Sequence, residues 1–474
     1  MSFRTATRIG APNPDSTMTP SNPKKKRFLF RIVLPIAAVG ALIAAVLLAN
    51  IATRAATPKA ESLEPSGFSA PLSTASCKAK FKILCYVPAQ LQTAYNLTAL
   101  YDGAATGRPI TGAGETIVIA EPYGSPTIRH DLAVFDAKLH LPNPSLTIDR
   151  FGKIPRYNPN NVLMAGWAQE ANLAVEYSHA FAPGAKIVLA ETPVNVTTGV
   201  TGLPQLMNAQ ESLINKGVGD VYLEIVGMGE ASFPGFSTGN YSSLLNLRYA
   251  FEDAYSHHVT VIAPSGDSGV TQTASEQPPY PLFKSKVAAW PASDPLVTGV
   301  GGTALHLSPS GDRLSPDVTW HDEYGASGGG PSAVFTRPQY QNAVAGVVGA
   351  QRGTPDISMS AAPGCWAYYS FPGGSGPGWH IFAGSTVSAP MMAGIVALAD
   401  EVAGHRLGLI NPALYKLGEL QQAGHQGTGI VSVTAGNNSF GGLTGYKAGP
   451  GYNLATGWGT INAATFVPAL ARLG

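Results

Sequence analysis

Residues 382–400 read FAGSTVSAPMMAGIVALAD, and the interpretation of the whole chain depends on this stretch. The pattern predicts a tight turn at Gly384 followed by an apolar helix that begins beside Pro390. Such turns often present a nucleophilic side chain at the N-terminus of a helix. Thr386 stands where a serine is expected, and Ser385 directly precedes it. The question is which hydroxyl, if either, is a working nucleophile.

Short apolar segments alternate with helical patterns along the chain before this stretch. We predict strands at 115–121, 186–191 and 220–229 and helices at 127–139, 160–184 and 244–258. An Asn pair (160–161) precedes the second helix in the position of a cap, and Pro183-Gly184 end it. Apolar strands separated by helices indicate an α/β fold with a mainly parallel sheet covered on both faces. Functional groups in such folds gather at the carboxyl ends of the strands.

Composition permits a large core and argues against one class of partner. Of the 474 residues, 45% are hydrophobic and 12% are charged. Residues 1–60 hold nine Lys and Arg and one acidic residue, and the remainder has 21 basic and 28 acidic residues. The folded part is therefore net acidic, and nothing in it indicates nucleic-acid binding.

The basic N-terminus precedes a candidate membrane segment. KKKR (24–27) is followed by 18 uncharged residues at 32–49, a run that nearly crosses a hydrocarbon core. We expect a cytoplasmic tail at 1–27, a transmembrane or signal segment at 28–52, a Pro-, Ser- and Ala-rich linker at 53–76 and a folded domain at 77–474. The small-residue sequence that follows also fits a cleavage site. The domain is then exported, either anchored by a single span or secreted.

Three cysteines suit one disulfide and one free thiol in an exported chain. Cys77 and Cys85 could close a short loop at the start of the domain, which would leave Cys365 unpaired. The spacing makes this pairing plausible and does not establish it.

Two other nucleophile motifs lack the context that their chemistry needs. GDSG (266–269) follows an apolar strand of the α/β pattern, and no matching histidine segment supplies a base. GASGG (325–329) fits G-x-S-x-G but lacks the strand and helix that a nucleophile elbow requires. Only GSTVSAP (384–390) has a glycine turn that leads into a helix.

From about Cys77 to the C-terminus, the sequence resembles the sedolisin family, the serine-carboxyl peptidases with a subtilisin-like fold. The resemblance is carried by CYVPAQLQTAYNL (85–97), GETIVIAEPYGSP (114–126), HAFAPGAKI (179–187), APSGDSG (263–269), WPASDPLVTGVGGTAL (290–305), SGGGPSAVFTRPQYQ (327–341), PDIS (355–358), GSTVSAP (384–390) and GPGYNLATGWGTIN (449–462). It implies a subtilisin-like three-layer α/β domain.

The resemblance implies an endopeptidase that works in acid through a Ser nucleophile, a Glu base, an Asp that orients the Glu, and a further Asp that binds the oxyanion. Glu170 falls on the base and Asp267 on the oxyanion Asp. The orienting Asp, four residues after the Glu and therefore on the same helix face, is replaced by Ala174.

Thr386 falls on the nucleophile, because the family places its Pro four residues after the Ser and this chain has Pro390. The extra methyl group of threonine restricts χ1 and must fit where the substrate carbonyl approaches. Ser385 is a poor substitute, since one residue of helix rotates its side chain by about 100°.

The family also implies a Ca²⁺ site near the C-terminus. The matching positions here are Ser432, Val433, Gly449, Gly451 and Asn453. Both acidic ligands of the family are thus replaced. Neutral oxygens alone hold a hard dication weakly, so no cofactor is expected.

The altered site leaves three hypotheses open. The first is a weak or inactive serine-type endopeptidase, and the second is a pseudoenzyme that binds peptides or a partner at the cell surface. The third is a stalked structural domain whose cleft has no role. Leu223 and Ile225 stand at positions where the family has serines that line the substrate cleft. In the first two hypotheses the partner is a polypeptide, and we expect a monomer.

Overall fold

The computed structural model describes residues 67–275 and 280–474. The predicted basic tail (1–27), the predicted membrane or signal segment (28–52) and residues 53–66 of the predicted linker lie outside the described residues. The assignments of these segments therefore remain predictions.

Helices and strands alternate through most of the described chain. The α-helices are α1 Thr74–Phe81, α2 Pro88–Ala94, α3 Thr98–Tyr101, α4 Ile128–Leu139, α5 Val162–Phe181, α6 Leu203–Ile214, α7 Ser242–Leu245, α8 Tyr249–Ser256, α9 Ala345–Val348, α10 Ser385–Ala403, α11 Asn411–Gln422 and α12 Ala463–Leu473. The strands are β1 Cys85–Tyr86, β2 Thr116–Pro122, β3 Ser145–Arg150, β4 Lys186–Thr192, β5 Val221–Glu224, β6 Met228–Gly229, β7 Thr260–Pro264, β8 Ala289–Trp290, β9 Thr298–Ala304, β10 Val318–Thr319, β11 Gly330–Thr336, β12 Gln351–Thr354, β13 Ile357–Ala362, β14 Gly364–Tyr369, β15 Gly378–Phe382, β16 Ile430–Val431 and β17 Thr460–Ile461.

The central sheet has eight strands in the order β10-β9-β7-β5-β2-β4-β3, with β13 also paired to β9. Every pairing in it is parallel except that of β10 with β9. Residues 117–122 of β2 are all buried. Because successive side chains of a strand point to opposite faces, both faces of the sheet are covered. The predicted α/β class with a mainly parallel sheet is confirmed.

The long helix α10 lies in the core, where it packs against α5, α12 and several sheet strands. It begins at Ser385, directly after the turn at Gly384. The prediction that the helix begins beside Pro390 was wrong, because this proline lies inside the helix. By length and composition α10 could cross a membrane, but 89% of it is buried inside the protein. It is therefore a core helix.

Two predicted elements are each divided in the structure. The strand predicted at 220–229 ends at Glu224, where the chain leaves the central sheet, and residues 228–229 pair with β8 instead. The helix predicted at 244–258 forms α7 and α8. Between them, the Arg248 side chain donates to Asp294 Oδ2 over 2.6 Å.

Folded structure begins earlier than the predicted boundary at residue 77. Phe68 forms an antiparallel bridge with Trp379, and α1 starts at Thr74. Cys77 and Cys85 are joined by a disulfide, so the suggested pairing is confirmed. Cys365 is free and buried.

Candidate active site

Helix α5 carries Glu170 into the interior. The Asn161 side chain caps this helix by accepting from the backbone N–H groups of Leu163 and Met164, as the Asn pair predicted. Glu170 is only 1% exposed. Neither of its carboxyl oxygens has a hydrogen-bond partner of good geometry among the described residues. Ala174, one turn further along, supplies no polar group that could orient this carboxyl.

Burial raises the pKa of Glu170 to about 8, and the nearby charge of Asp267 raises it as well. The Thr386 hydroxyl is the neighbour that lowers this pKa, as a hydrogen-bonding group does. The contact between them nevertheless falls short of hydrogen-bond geometry, since the Thr386 oxygen is also unpartnered among the described residues. Thr386 therefore lies beside the glutamate without being firmly held by it.

Asp267 follows strand β7 and is held by Ser385. The backbone N–H and the hydroxyl of Ser385 both donate to Asp267 Oδ1 at 2.7 Å. The N–H of Gly266 donates to the Ser385 oxygen at 3.1 Å. Burial raises the pKa of Asp267 to about 6, against the opposing effect of the two Ser385 hydrogen bonds. The Ser385 side chain is thus committed to the aspartate.

Gly384 leaves open a space between Asp267 and Thr386. A Cβ placed on Gly384 would lie 2.6 Å from Asp267 Oδ2 and 3.3 Å from Thr386 Oγ1. The glycine has φ +134°, a conformation that other residues rarely adopt. Because Gly384 has no side chain, Asp267 Oδ2 and Thr386 Oγ1 face the same gap. The structure brings Glu170, Asp267 and Thr386 together, with Ser385 directed at the aspartate.

Four buried oxygens at this site have no hydrogen-bond partner among the described residues: Glu170 Oε1, Glu170 Oε2, Asp267 Oδ2 and Thr386 Oγ1. Buried polar atoms are nearly always paired with protein, water or ligand. Such a group of oxygens is suited to bind water or a polar ligand.

The arrangement can in principle perform acyl transfer. The Thr386 hydroxyl would attack a carbonyl and pass its proton to Glu170, while Asp267 Oδ2–H would donate to the developing oxyanion. These roles require Glu170 to be ionised and Asp267 to be protonated. The two pKa values are in the opposite order, because the proton leaves Asp267 near pH 6 and leaves Glu170 near pH 8. Between these two pH values the prevailing state has Asp267 ionised and Glu170 protonated, which is the reverse of the required combination.

Sequence reasoning missed a further buried carboxyl, Glu121, at the end of β2. It is fully buried, and its two carboxyl oxygens have no partner among the described residues. Its pKa is well above the usual range because of burial and the nearby carboxyl groups of Glu191 and Glu170. A Glu inside an otherwise apolar strand was the available signal. Leu223 and Ile225, also noted from the sequence, are both buried.

The polar side chains at the predicted calcium positions form hydrogen bonds within the protein. Asn453 Oδ1 accepts from the N–H groups of Ala455 and Thr456 at 3.1 and 2.9 Å, and Asn453 Nδ2 donates to the carbonyl of Gly449 at 3.4 Å. An N–H group thus points at an oxygen that a cation would need. Ser432 donates to Gln421 at 3.5 Å, and Val433 is buried.

This donor set does not fit Ca²⁺, which prefers carboxylate and carbonyl oxygens. Gly451 contributes no side chain, and a Cβ placed on it would lie 3.0 Å from the Gln422 side chain. Within residues 67–275 and 280–474, no group of three or more His, Cys, Asp and Glu side chains is placed to hold a metal ion.

Comparisons with known proteins point to one family. No family model matches this chain. Kumamolisin from Bacillus sp. (strain MN-32) is 28% identical over 374 residues, which cover 76% of this chain and 61% of kumamolisin. Tripeptidyl-peptidase 1 from Mus musculus is 30% identical over 336 residues, which cover 64% of this chain and 51% of that protein. The chain thus spans between half and two thirds of the length of these relatives.

A solved structure shares the fold. The structure of Pseudomonas sedolisin, a serine-carboxyl proteinase complexed with pseudo-iodotyrostatin, superimposes with a TM-score of 0.65 at 24% identity. The superposition covers 81% of this chain and 97% of that one.

Proposed function

We propose that this chain, which belongs to the sedolisin family and has its subtilisin-like fold, binds polypeptides at the Glu170–Asp267–Thr386 site and hydrolyses them very slowly. The observation that carries the proposal is the position of Thr386 beside a Glu170 carboxyl that no other described side chain orients. The relatives are peptidases by name, so a polypeptide is the expected ligand. The unpaired oxygens of the site can form hydrogen bonds with the amide groups of a polypeptide.

Three features weaken the chemistry. The methyl group of Thr386 restricts the rotation of its hydroxyl, and a small misplacement of an attacking oxygen costs about a hundredfold in rate. The unoriented glutamate and the order of the two carboxyl pKa values reduce the reactive population further. The rate losses caused by several altered residues of one catalytic site do not simply add, so some hydrolysis is expected to remain.

The second candidate is a peptide-binding protein without catalysis. It is favoured by Ala174, since no side chain in the described part of the chain replaces the family carboxylate that would orient Glu170. In either case we propose that the apolar segment at 32–49 places the domain outside the cell.

We also propose that the domain folds without calcium, because the Asn453 side chain donates a hydrogen bond to the Gly449 carbonyl, where a cation would bind.

The test is hydrolysis of a denatured protein substrate by the full chain between pH 3 and pH 9, with Thr386→Ala as the matched control. We expect wild-type hydrolysis that exceeds the control by less than about a hundredfold, together with measurable binding of the substrate. Rates typical of efficient peptidases that the substitution abolishes would overturn the proposed impairment. If neither the wild type nor Thr386→Ala hydrolysed the substrate although both bound it, the second candidate, a peptide-binding protein without catalysis, would be favoured.

A further inference from the structure

A cavity opens at the carboxyl ends of three neighbouring parallel strands, β2, β3 and β4. It encloses about 420 Å³, which is within the range of ligand pockets. Ligands of open α/β sheets bind at this edge. We call this cavity the strand-end pocket, and define it by Tyr123, Ser125, Arg150, Lys153, Tyr157 and Glu191.

The strand-end pocket adjoins the candidate active site. Glu191 lies opposite Glu121 in the register of β4 with β2. Helix α5, which carries Glu170, packs against β2 and β4, and the Glu170 carboxyl helps to raise the pKa of Glu121. Met164, on the same helix as Glu170, also lines the pocket, so the pocket is within reach of a polypeptide that extends several residues from Glu170.

The pocket carries a net positive charge. Its one carboxylate, Glu191, is buried and receives a hydrogen bond from Arg150 at 2.8 Å. Lys153 is exposed at the wall, and within the described chain its ammonium forms no ion pair or hydrogen bond. With Arg150 and Glu191 neutralising each other, the charge of Lys153 is the one available to a ligand.

A buried hydroxyl in the pocket also lacks a partner. Ser125 is 6% exposed, and its oxygen makes no hydrogen bond to any described residue. The turn that positions it is fixed, because Tyr123 and Gly124 both have left-handed backbone conformations (φ +65° and +69°). A Cβ at Gly124 would overlap the Glu191 carboxylate. The geometry thus holds a hydroxyl donor ready inside the pocket.

We propose that the strand-end pocket receives an acidic side chain, Asp or Glu, of the polypeptide that binds at the Glu170–Asp267–Thr386 site. This inference rests on the proposed function. The Lys153 ammonium pairs with the ligand carboxylate and the Ser125 hydroxyl donates to it, while Tyr123 and Tyr157 contact its methylene groups. Charge-assisted hydrogen bonds of this kind are stronger than neutral ones.

The test uses matched peptides and the full chain at pH 6, where a peptide Glu is ionised. Fluorescein-labelled decapeptides of Ala and Ser carry a single Glu, Gln or Lys at each position in turn, and fluorescence anisotropy gives the Kd of each. We expect one position at which the Glu peptide binds about tenfold more tightly than the Gln peptide. High salt should reduce this ratio.

Two variants locate the effect. Lys153→Gln should abolish the tenfold preference, and Lys153→Glu should convert it into a preference for the Lys peptide. Lys186→Gln is the matched control, because this exposed lysine begins β4 at the opposite edge of the sheet, and it should retain the preference.

The outcomes separate this inference from the proposed function. Peptides that bind with equal affinity whether they carry Glu or Gln would overturn the acidic-side-chain pocket and leave the proposed function intact. A preference that survives Lys153→Glu would also overturn it. No binding by any peptide would overturn both.

Discussion

Ser385 and Asp267 form a two-point contact in which the N–H and the hydroxyl of the serine both bind Oδ1 of the aspartate at 2.7 Å. Because Oδ1 accepts both hydrogen bonds, the proton of the neutral acid belongs on Oδ2, which faces the gap beside Thr386. Ser385 thus acts as a positioning residue. Its hydroxyl is unavailable for attack, which leaves Thr386 beside Glu170.

Replacing Ser385 should change the titration of Asp267. The Ser385 hydroxyl lowers the pKa of this carboxyl, so Ser385→Ala should move the pKa above about 6. Difference proton titration between each protein and its Asp267→Asn derivative would measure the shift. An unchanged or lowered Asp267 pKa in Ser385→Ala would contradict the two-point contact.

Gly384 should tolerate no side chain. Gly384→Ala would place a Cβ 2.6 Å from Asp267 Oδ2 at a backbone φ of +134°. We expect a loss of about 1–3 kcal/mol in the free energy of unfolding from the strained backbone, together with weaker peptide binding. Denaturant unfolding and fluorescence anisotropy would measure the two effects.

Gly346→Ala is the matched control for that experiment. This glycine lies in α9 with nothing within 4 Å of an added Cβ. Its replacement should leave peptide binding unchanged and stability equal or slightly higher. If both alanine variants behaved alike, the gap beside Gly384 would have no special role.

Stability should decrease as the pH rises from mildly acidic to weakly basic. Burial raises the pKa of Glu170 to about 8 from a usual 4.5, so the folded chain retains a proton that the unfolded chain releases. This contribution is complete below about pH 4.5 and is lost as the pH rises to about 8. Buried Asp400, with its pKa raised to about 8 mainly by burial, acts in the same direction.

Amide variants identify the groups responsible. Glu170→Gln should flatten the fall of Tm between about pH 4.5 and pH 8. Asp267→Asn should act in the lower window between about 3.8 and about 6. Thermal unfolding of both variants across this range is the measurement. A wild-type Tm that rises steadily from pH 5 to pH 8 would refute the predicted titrations.

Calcium should not stabilise the protein. Because Asn453 Nδ2 donates to the Gly449 carbonyl, we expect Tm values in excess Ca²⁺ and in chelator to agree within about 1 °C. The Ser432→Asp, Asn453→Asp double variant restores two carboxylates and should gain a calcium-dependent increase in Tm. Asn437→Asp is a matched control, since this Asn accepts from Ser439 N–H in a similar turn, and should gain none.

The sequence predicted several of the principal strands and helices and could not predict the properties that depend on burial. Apolar periodicity gave β2, β4 and α5 nearly residue by residue. It missed the break after Glu224, because the change of partner from the central sheet to β8 is a tertiary event. It also placed the start of α10 beside Pro390, although a proline is tolerated inside this buried helix.

The site was predictable only where a local motif fixed it. The proline spacing singled out Thr386, and the motif matches singled out Glu170 and Asp267. The raised pKa values of Glu170 and Asp267 arise from burial and from neighbouring charges, which no local pattern encodes. The strand-end pocket was missed because Tyr123, Arg150 and Glu191 lie at the ends of three strands that are distant in the sequence.

The most direct test of the account is the rate at which the full-length Thr386→Ser, Ala174→Asp double variant hydrolyses a denatured protein, relative to the wild type. If a β-branched hydroxyl beside an unoriented glutamate limits the site, the double variant should be faster by at least about a hundredfold. The account would be contradicted if the wild type were already as fast, or if Ser385→Ala abolished wild-type hydrolysis while Thr386→Ala did not.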